Sequence, residues 1–469
     1  MKNTMGYAGE HPPVTVIAPA SKSLSHRYLT GAALAHGRSV VGHCLKSQDL
    51  SATIGVLRAA GAKMDELAFN PDRQTMEMGI AGMANGPCGG AADDARECDV
   101  RESGTTCRLL MAVLAAGHGY FHIFGEGRMH ERPIGELASA LTRLGSEIEY
   151  EGTHGCPPLL LKANGLDPDA CSGLLPVSMD DSSQYFSGLL MAAPLARSPL
   201  GLVLGGRKAV SWPYVGLTLQ CLADFGINFM VETRESRKAP WLDIEDGWRG
   251  VVEAVPHCLR VTVQPGSYRP GEYRVEGDWS SAGYFLAAGA LGPSPVRVAG
   301  IRPDSLQGDR AILDILEKMG ALLDIGQDSV TAYPSRLHGV SLDMGACPDL
   351  VPTVAVLAAF ANGSTRIGNV AHLRIKESDR IQAPARELAK IGVEVDELSD
   401  GILISGLGES ATPIPEGDLA FSAHNDHRMA MSLALLERRY AALDMQARLD
   451  DPGVVAKSFP HFWTLWKSL

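Results

Sequence analysis

The sequence predicts a mixed α/β protein built from repeated helix and strand units. Six short polar openings each precede an apolar, alanine-rich segment of helix length. Five times a leucine stands four residues before a glycine that leads into an acidic segment of alternating polarity. A glycine that ends a helix and precedes such a segment is typical of a helix followed by a strand. We therefore expect a buried helix, a strand, a second helix and further strands, repeated roughly every 70 to 90 residues.

The polar openings predict where the first helix of each unit begins, because serine, aspartate and asparagine are preferred N-cap residues. The openings are Ser21-Lys22-Ser23, Ser103-Gly104-Thr105, Asp181-Ser182-Ser183, Asp278-Trp279-Ser280, Pro348-Asp349-Leu350 and Asn425-Asp426-His427. The leucine and glycine pairs predict where the second helices end. These pairs are Leu57 and Gly61, Leu141 and Gly145, Leu222 and Gly226, Leu316 and Gly320, and Leu388 and Gly392.

The sixth unit is incomplete in the sequence. Its first helix is expected near Asp426, and a last helix over 459–469 ends the chain with no strand pair behind it. That helix is rich in aromatic residues, so it needs a covering surface. Residues 14–18 alternate in polarity, and we expect them to cross back and complete this unit.

Composition describes an ordinary globular protein. The chain has 469 residues, which is long enough for two or three domains. Hydrophobic residues make up 45% of it and charged residues 20%. No apolar run approaches the about 18 residues of a membrane span, and no signal-peptide pattern opens the chain. Nine cysteines without a Cys-x-x-Cys pair favour neither zinc nor a disulfide framework. We expect a soluble, cytoplasmic protein that does not associate with membranes.

The charge distribution indicates a small anionic ligand. A formal net charge of −12 argues against a nucleic-acid partner, so any anion must be held by a local cluster of cations. Cations near helix starts are disfavoured by the helix dipole, whereas a bound phosphate is favoured there. The candidate cations in the repeated motifs are Lys22, Arg27, Arg108, Arg128, Lys376, Arg380, Arg428 and Lys457.

Two segments look peripheral. Residues 81–99 are rich in glycine, alanine and aspartate, and residues 235–256 carry two tryptophans among many charges. Both are expected to be surface loops or extended hairpins without chemistry.

Seven motifs in register identify a family resemblance. The chain resembles the 5-enolpyruvylshikimate-3-phosphate synthases in order from about Val14 to Trp463. The motifs are Pro19-Ala20-Ser21-Lys22-Ser23-Leu24-Ser25-His26-Arg27, Ser103-Gly104-Thr105 with Arg108, Arg128-Met129-His130-Glu131-Arg132-Pro133-Ile134-Gly135, Ser182-Ser183-Gln184, Lys376-Glu377-Ser378-Asp379-Arg380, Asp426-His427-Arg428-Met429-Ala430 and Lys457-Ser458-Phe459-Pro460.

The resemblance implies a particular fold. Members of the family form a two-domain inside-out α/β barrel of six βαβαββ units, three per domain. One domain would hold residues 20–275, and the other residues 1–19 with 276–469, completed by the N-terminal strand. The two crossings between the domains would lie near 17–21 and 274–278.

The resemblance also implies the reaction. Enolpyruvyl would pass from phosphoenolpyruvate to the 5-hydroxyl of shikimate 3-phosphate, and phosphate would be released. The expected partners are these two small molecules. No organic cofactor or metal is implied, and we expect a monomer. The family is the target of glyphosate, which occupies the phosphoenolpyruvate site, and the space beside Gly104 is expected to be open for it. Leu109, where many relatives carry proline, makes this sensitivity less secure than the activity.

Residue roles follow from the resemblance, position by position. Asp349 would take the hydroxyl proton, Glu377 would protonate the methylene carbon, and Lys22 would contact both substrates. The expected contacts to shikimate 3-phosphate are Lys22, Ser23, Arg27, Ser182, Ser183, Ser211, Tyr214 and Lys376. The expected contacts to phosphoenolpyruvate are Lys22, Gly104, Arg128, Gln184, Arg380, Arg428 and Lys457.

Simpler interpretations stand beside these roles. Asp349 follows a proline and could be a helix N-cap. Glu377 could form an exposed i, i+3 ion pair with Arg380. The role of His427 stays open, and so does that of His372, which stands where relatives often carry a substrate-binding asparagine.

Three other functions compete with this hypothesis. The related transferase that acts on a UDP-amino sugar uses a loop cysteine as its acid, and we see no matching loop. A catalytically inactive binding paralogue would need neither an acid nor a base. A solenoid scaffold would carry variable polar helix starts instead of ionisable ones.

Overall fold

The computed structural model describes residues 12–244, 247–251, 253–408, 419–441 and 447–469. The chain is a mixed α/β protein with several sheets, as predicted. It divides into two compact units. The central unit holds Ala20–Val275, and the terminal unit holds Met1–Pro19 together with Glu276–Leu469.

The strands that the structure describes are β1 (Val14–Ile17), β2 (Arg38–Leu45), β3 (Lys63–Asn70), β4 (Thr75–Ala81), β5 (Arg96–Asp99), β6 (His118–Phe124), β7 (Glu147–Tyr150), β8 (Leu159–Asn164), β9 (Leu174–Met179), β10 (Leu200–Ala209), β11 (Phe229–Thr233), β12 (Leu242–Asp243), β13 (Leu259–Val263), β14 (Glu272–Arg274), β15 (Val296–Ala299), β16 (Leu322–Ile325), β17 (Ser329–Tyr333), β18 (Ser341–Asp343), β19 (Asn362–Gly368), β20 (Glu394–Glu397), β21 (Ile402–Leu407), β22 (Leu419–Phe421) and β23 (Ala447–Leu449). The described α-helices are α1 (Lys22–Leu34), α2 (Gln48–Ala59), α3 (Gly104–Ala115), α4 (Gly135–Arg143), α5 (Ser183–Ala192), α6 (Trp212–Asp224), α7 (Trp279–Leu291), α8 (Ile312–Lys318), α9 (Val351–Ala359), α10 (Gln382–Ala389), α11 (His427–Ala441) and α12 (Phe462–Trp466).

One sheet topology recurs in both units. In five sheets of the described chain, a first strand lies parallel to the second, and two further strands continue antiparallel. The central unit contains the orders β14-β2-β4-β3, β5-β6-β8-β7 and β9-β10-β13-β11, the last extended by β12. The terminal unit contains β1-β15-β17-β16 and β18-β19-β21-β20. The sixth sheet, β22-β23, shows only the parallel pair.

Both sequence signals for the helices are confirmed. Three of the buried helices begin with a capping side chain at Ser103, Ser182 or Asp278, which accepts a backbone N–H of the first turn. The glycines that end the second helices all have positive φ, between 72° and 115°, which other residues rarely adopt. They are Gly61, Gly145, Gly226, Gly320 and Gly392.

The expected position of the N-terminal strand is wrong. β1 does not complete the sixth unit; it pairs in parallel with β15, so that Val14 lies opposite Val296 and Ile17 opposite Ala299. The reason lies in β14, the strand that precedes α7 in the chain. β14 pairs with β2 and so supplies the first strand of the first sheet, which leaves β15 with an open edge. The edge of β15 is therefore covered by β1.

The C-terminal aromatic residues are covered by a helix instead. α12 is shorter than predicted and spans only Phe462–Trp466. Phe285 on α7 lies 5.9 Å from Phe462 and 5.7 Å from Trp466, measured between ring centroids. Phe459 also packs on Phe285, with 6.2 Å between the ring centroids. Helix α7 thus provides the surface that the sequence required.

The two segments predicted to be peripheral differ. Residues 96–99 form β5, the first strand of the second sheet, and Cys98 is fully buried. The prediction of a peripheral loop is therefore wrong for this part. In the second segment, the ring centroid of Trp241 lies 4.2 Å from the guanidinium carbon of Arg234 and 4.6 Å from that of Arg260. Positions 245, 246 and 252 of that segment fall outside the described residues.

Replacing Phe462 by alanine should lower the free energy of unfolding by about 3–5 kcal/mol, because the ring is fully buried among aromatic neighbours. Leu322→Ala is the control, since Leu322 is 49% exposed and its loss should change stability by less than about 0.5 kcal/mol. Chemical denaturation of both variants measures the difference. Equal effects of the two substitutions would show that α7 does not anchor the C-terminal segment.

Candidate active site

Helix α1 brings the first predicted cation to its amino end. Lys22 is the first residue of α1, and its Nζ lies 3.0 Å from Oδ2 of Asp49, at the start of α2. Both side chains are largely buried, at 15% and 11% exposure. Ser23 follows Lys22 and is half-buried. The sequence did not single out Asp49, because only the packing of α1 against α2 makes it a neighbour of Lys22.

Arg27 is buried within the central unit. It is 1% exposed, and Nε donates to Oγ1 of Thr218 at 2.8 Å. Nη2 donates to the carbonyl oxygen of Tyr214 at 2.9 Å, and Nη1 to that of Ser23 at 2.8 Å. Burial lowers the pKa of Arg27 to about 10, which leaves it charged at neutral pH. Arg27 therefore joins α1 to α6.

His26 is held as a neutral side chain beside these charges. Burial, followed by the charges of Lys22 and Arg27, lowers the pKa of His26 well below its ordinary value. Its Nδ1 lies 2.7 Å from Oγ1 of Thr53, and that hydroxyl lies 2.7 Å from Oγ1 of Thr106 on α3. These contacts link α1, α2 and α3.

The start of α5 is connected to the start of α3. Ser182 caps α5 by accepting the N–H of Gln184, and Ser183 is buried beside it. The side-chain nitrogen of Gln184 donates to Oγ1 of Thr105 at 2.9 Å, and its oxygen accepts Nη1 of Arg108 at 3.1 Å. Gln184 is thus held in one orientation by two helices.

The other predicted contacts of the central unit are spread over two elements. Ser211 precedes α6 with a positive φ of 57° and is buried, and Tyr214 lies half-buried in the first turn. Arg128 lies in a 3₁₀ helix, Gly127–Glu131, with its side chain 42% exposed. Its Nε is 3.7 Å from Glu131.

The expectation of open space beside Gly104 is wrong. A Cβ added at Gly104 would lie 2.5 Å from Cζ and 2.8 Å from Nη1 of Arg132. A guanidinium group therefore already lies against this glycine. The sequence motif contains Arg132, but spacing alone does not show that it folds back onto α3.

In the terminal unit, Asp349 is held between two arginines. Oδ1 accepts Nη1 of Arg380 at 2.8 Å, and Oδ2 accepts Nη2 of Arg428 at 2.8 Å. The Asp349 side chain is 22% exposed, whereas those of Arg380 and Arg428 are 4% and 8% exposed. The N-cap interpretation of Asp349 is therefore wrong, since its carboxylate binds guanidinium groups.

A second carboxylate, that of Asp426, is completely buried beside Arg380. Nε and Nη2 of Arg380 donate to its two oxygens at 2.7 and 3.0 Å. Ser378 donates its hydroxyl at 2.8 Å, and the backbone N–H of Arg428 donates at 2.9 Å. Burial raises the pKa of Asp426, but the charge of Arg380 more than offsets this, so that the pKa lies below its ordinary value.

The predicted proton donor lies in the same cluster. Oε2 of Glu377 is 2.8 Å from Nδ1 of His427, which is 1% exposed. Single ligand atoms of Glu377, Asp426 and His427 lie within 4.8 Å of one another. The expected surface ion pair is therefore not the main environment of Glu377. Arg380 binds both Asp426 and Asp349, so one guanidinium group links these two carboxylates.

Two more predicted cations lie near this cluster in the chain. Lys457 is 9% exposed, and its Nζ donates to the carbonyl and side-chain oxygens of Asn425 at 3.0 and 3.2 Å. Lys376 is half-buried after a 3₁₀ helix, Ala371–Ile375, in which His372 is buried. The contact with Asn425 places Lys457 at the turn that precedes α11.

Asp309 is a further buried acid that the sequence did not indicate. Ser280 donates a hydrogen bond to it, and burial, followed by the charge of Asp349, raises the pKa of Asp309 to about 7. Tyr284 accepts Nη1 of Arg428 at 3.3 Å, and burial raises the pKa of its hydroxyl to about 12. Tyr284 lies on α7 and Asp309 in a 3₁₀ helix, Gly308–Ala311, and both are far from Arg428 in sequence.

Comparison with known proteins decides the family. The family model described as EPSP synthase (3-phosphoshikimate 1-carboxyvinyltransferase) matches residues 13–239 and 248–466. The chain belongs to the EPSP synthase family. It is therefore an enzyme, an enolpyruvyl transferase of the shikimate pathway.

Named relatives agree with this placement. A 3-phosphoshikimate 1-carboxyvinyltransferase of Laribacter hongkongensis is 39% identical over 97% of this chain and 96% of its own length. The corresponding protein of Shewanella amazonensis is 36% identical over 96% and 95%.

Two solved structures share the fold. The EPSP synthase of Acinetobacter baumannii superposes with a TM-score of 0.70 at 24% identity, covering 97% of this chain and 94% of its own. The enolpyruvyl transferase NikO of Streptomyces tendae gives 0.66 at 20% identity, covering 98% and 94%. In this EPSP synthase family member, no helix among the described residues has the length and hydropathy to cross a membrane.

Asp426→Asn should destabilise the enzyme by roughly 3–5 kcal/mol, because it leaves the buried charge of Arg380 undercompensated. Asp400→Asn is the matched control, since Asp400 pairs with Arg366 at the surface and 45% of its side chain is exposed. This substitution should lower the free energy of unfolding by less than about 1 kcal/mol. Denaturant unfolding at neutral pH measures both.

The pH dependence gives a second readout of the same pair. Because the pKa of folded Asp426 is depressed, its stabilisation is present above the ordinary aspartate range and is lost as the pH falls through the folded value. The difference in the free energy of unfolding between wild type and Asp426→Asn should therefore become smaller at acid pH. If this difference did not depend on pH, or were as small as that for Asp400→Asn, the claim that ionised Asp426 compensates the charge of Arg380 would be contradicted.

Proposed function

We propose that this enzyme transfers the enolpyruvyl group of phosphoenolpyruvate to the 5-hydroxyl of shikimate 3-phosphate and releases phosphate. The observation that carries the proposal is the carboxylate of Asp349 between Arg380 and Arg428, with Glu377 close to Asp426, the second carboxylate bound by Arg380. This arrangement supplies a base, an acid and two anion-binding cations. A protein that only binds these ligands would need neither the base nor the acid.

The chemistry assigns one proton to each acidic group. The hydroxyl oxygen of shikimate 3-phosphate attacks C2 of phosphoenolpyruvate and gives its proton to Asp349. The C3 methylene takes a proton from Glu377, which yields a tetrahedral intermediate. Loss of phosphate and return of a methyl proton to a carboxylate then restore the double bond. General acid and base groups and fixed cations stabilise the charges of such steps.

Phosphoenolpyruvate exchanges with Asp349 at the arginines in this proposal. Both oxygens of Asp349 are bound to guanidinium groups, and a carboxylate in that state is a weak base. Phosphoenolpyruvate is the stronger partner for Arg380 and Arg428, because its phosphate carries more negative charge and more acceptor oxygens than one carboxylate. Binding of this substrate therefore frees Asp349 to accept a proton. Asp426, which is completely buried, keeps Arg380 in place during the exchange.

His427 has a place in this proposal as a positioning residue. Its ring is buried, and Nδ1 lies within hydrogen-bond distance of Glu377. A buried imidazole at 2.8 Å fixes the direction of the carboxyl group. Lys376 and Lys457 add positive charge from the neighbouring segments.

In the central unit, we propose that shikimate 3-phosphate contacts Lys22, Ser23 and the serines at the start of α5. Lys22 carries a charge at a helix start, where an oxyanion is favoured. Arg27, Ser211 and Tyr214 are assigned to the same substrate, and Nη2 of Arg27 donates to the carbonyl oxygen of Tyr214 near the start of α6. Gln184 and Arg128 are assigned to phosphoenolpyruvate, as is the backbone of Gly104.

The architecture belongs to the same proposal. The recurring strand order of five described sheets supports βαβαββ units, and we propose that the fold is the inside-out α/β barrel of this family. The boundaries at 19–20 and 275–276 support two domains of three units each. We propose that the enzyme is a monomer without an organic cofactor or metal.

A phosphate-release assay with both substrates tests the activity. Phosphate should appear only when shikimate 3-phosphate and phosphoenolpyruvate are both present, and mass spectrometry should detect the enolpyruvyl product. Release with a UDP-amino sugar in place of shikimate 3-phosphate would favour the related transferase. Absence of release with either acceptor would contradict the proposed function.

Glu377→Gln should lower kcat by roughly 10²–10⁴-fold, because glutamine cannot donate the proton to the methylene carbon. Glu397→Gln is the control, since Glu397 pairs with Arg374 near the surface and should retain wild-type kcat. Steady-state kinetics at saturating concentrations of both substrates give the comparison. A Glu377→Gln variant with near wild-type kcat would exclude Glu377 as the acid.

A further inference from the structure

The turn that leads into α11 has an uncommon backbone conformation. The N–H of Asp426 donates to the carbonyl oxygen of Ala423 at 2.9 Å, which closes a four-residue turn. Its two central residues, His424 and Asn425, have positive φ angles of 52° and 54°. Two successive positive φ angles are typical of a type I′ turn, in which glycine, asparagine and aspartate predominate. Asn425 fits this preference, whereas the backbone alone does not account for a histidine at position 424.

The imidazole of His424 contacts a buried carboxylate. Its Nε2 lies 2.9 Å from Oε1 of Glu387, a residue of α10 that is 2% exposed. Oε2 of the same carboxylate accepts Nζ of Lys390 at 2.6 Å and the backbone N–H of Ser422 at 2.8 Å. Because a carboxylate only accepts hydrogen bonds, we assign a proton to Nε2 of His424. Glu387 thus binds this segment at two places, one before the turn and one within it.

The second central residue of the turn binds a cation that is assigned to the substrate. The carbonyl and side-chain oxygens of Asn425 accept Nζ of Lys457 at 3.0 and 3.2 Å. The direction of a carbonyl group follows from the backbone angles of the chain around it, so the left-handed turn directs this carbonyl to Lys457. A chain of contacts therefore runs from Glu387 through His424 and Asn425 to Lys457.

This turn needs support from the surrounding side chains, because a left-handed backbone is unfavourable for residues other than glycine. Asp450 supports the residues before its centre. Oδ2 of Asp450 accepts the hydroxyl of Ser422 at 2.6 Å, and Oδ1 accepts the backbone N–H of Ala423 at 2.8 Å. Glu387 differs from Asp450 because it binds the side chain of a left-handed residue, His424. It therefore acts at the centre of the turn.

We propose that Glu387 is a positioning residue of the active site, which holds the left-handed turn through His424 and thereby presents the oxygens of Asn425 to Lys457. This inference rests on the proposed function, in which Lys457 contacts phosphoenolpyruvate. Glu387 does not touch the substrate itself. Its loss weakens phosphoenolpyruvate binding because Lys457 is no longer held where the substrate anion lies.

Two substitutions of His424 separate the side-chain contact from the backbone requirement. The amide nitrogen of glutamine takes the place of Nε2 of histidine, but glutamine adopts positive φ less readily than asparagine. Asparagine tolerates the turn, but its side chain is one methylene shorter and does not reach Glu387. The KM of phosphoenolpyruvate at saturating shikimate 3-phosphate should stay within about threefold of wild type for His424→Gln and rise on the order of 10-fold for His424→Asn, as expected for loss of a hydrogen bond to a charged group.

The reverse order, with His424→Asn near wild type and His424→Gln impaired, would show that only the backbone conformation matters and would overturn the proposal. Glu387→Ala should raise the KM of phosphoenolpyruvate as His424→Asn does, and in this background the two His424 variants should no longer differ. A difference that persists without Glu387 would equally overturn it. The side chain of His424 is 22% exposed, so its variants decide the proposal if Glu387→Ala does not fold.

A double-mutant cycle with Lys457→Ala locates the effect. Lys457→Ala alone should raise the KM of phosphoenolpyruvate, and in this background His424→Asn should raise it further by less than about twofold, because both substitutions remove the same interaction. An undiminished effect of His424→Asn would show that the turn acts elsewhere and would overturn the proposal. So would an unchanged KM in Lys457→Ala, since there would be no substrate contact to position.

Stability and a second substrate distinguish positioning from a purely structural role. The KM of shikimate 3-phosphate should change little in the His424 variants, whereas general disruption of the unit would raise both KM values. A His424→Asn variant that loses stability in chemical denaturation but keeps the wild-type KM of phosphoenolpyruvate would overturn the proposal. Glu397→Gln is the control, since Glu397 pairs with Arg374 near the surface of the same unit and should leave both KM values unchanged.

Calorimetry distinguishes failure of this inference from failure of the proposed reaction. The Kd of phosphoenolpyruvate is measured for wild type and both His424 variants in the presence of shikimate 3-phosphate, with product formation monitored in parallel. If wild type binds phosphoenolpyruvate but forms no product, the proposed function fails, while the order of the Kd values still decides the role of Glu387 and His424. If product forms and His424→Asn binds phosphoenolpyruvate as tightly as wild type, this inference alone is overturned.

Discussion

The terminal unit depends on two carboxylates that hold two buried arginines. Asp426 is completely buried and binds Arg380 through both oxygens, whereas Asp349 is partly exposed and binds Arg380 and Arg428 through one oxygen each. A buried guanidinium group without a partner is strongly destabilising, so the folded chain carries its own anions. The difference in exposure gives them different functions. Asp426 is a structural partner, and in the proposed mechanism Asp349 is the partner that a substrate anion replaces.

The repeated units explain how these side chains reach their places. Each unit begins with a buried helix whose amino end carries polar or charged residues, as at Lys22, Ser183 and His427. Because the repeats share one topology, equivalent helix starts recur within each compact half of the chain. Helix starts favour bound anions. The pairing of β1 with β15 and of β14 with β2 covers one edge of each of these two sheets.

Local signals in the sequence predicted the helices, and long-range packing decided what the sequence could not show. Capping residues and glycines with positive φ act within one turn, so the starts of the first helices and the ends of the second helices followed from the residues themselves. The partner of β1 depends on which sheet edge is left open after β14 has paired, and no local pattern records that. The carboxylate at Asp349 was predicted as a site residue through family resemblance, but its two arginines became partners only through packing. The contact of Arg132 with Gly104 escaped prediction because the two residues lie on separate elements.

The central claim is that Asp349 competes with phosphoenolpyruvate for Arg380 and Arg428. The most direct measurement is the Kd of phosphoenolpyruvate for Asp349→Asn by calorimetry, with shikimate 3-phosphate saturating and turnover monitored in parallel. Removal of the internal anion should tighten phosphoenolpyruvate binding while kcat falls, because the competitor and the base are the same group. Weaker or unchanged binding of phosphoenolpyruvate by Asp349→Asn would contradict the exchange and with it the proposed activation of the base.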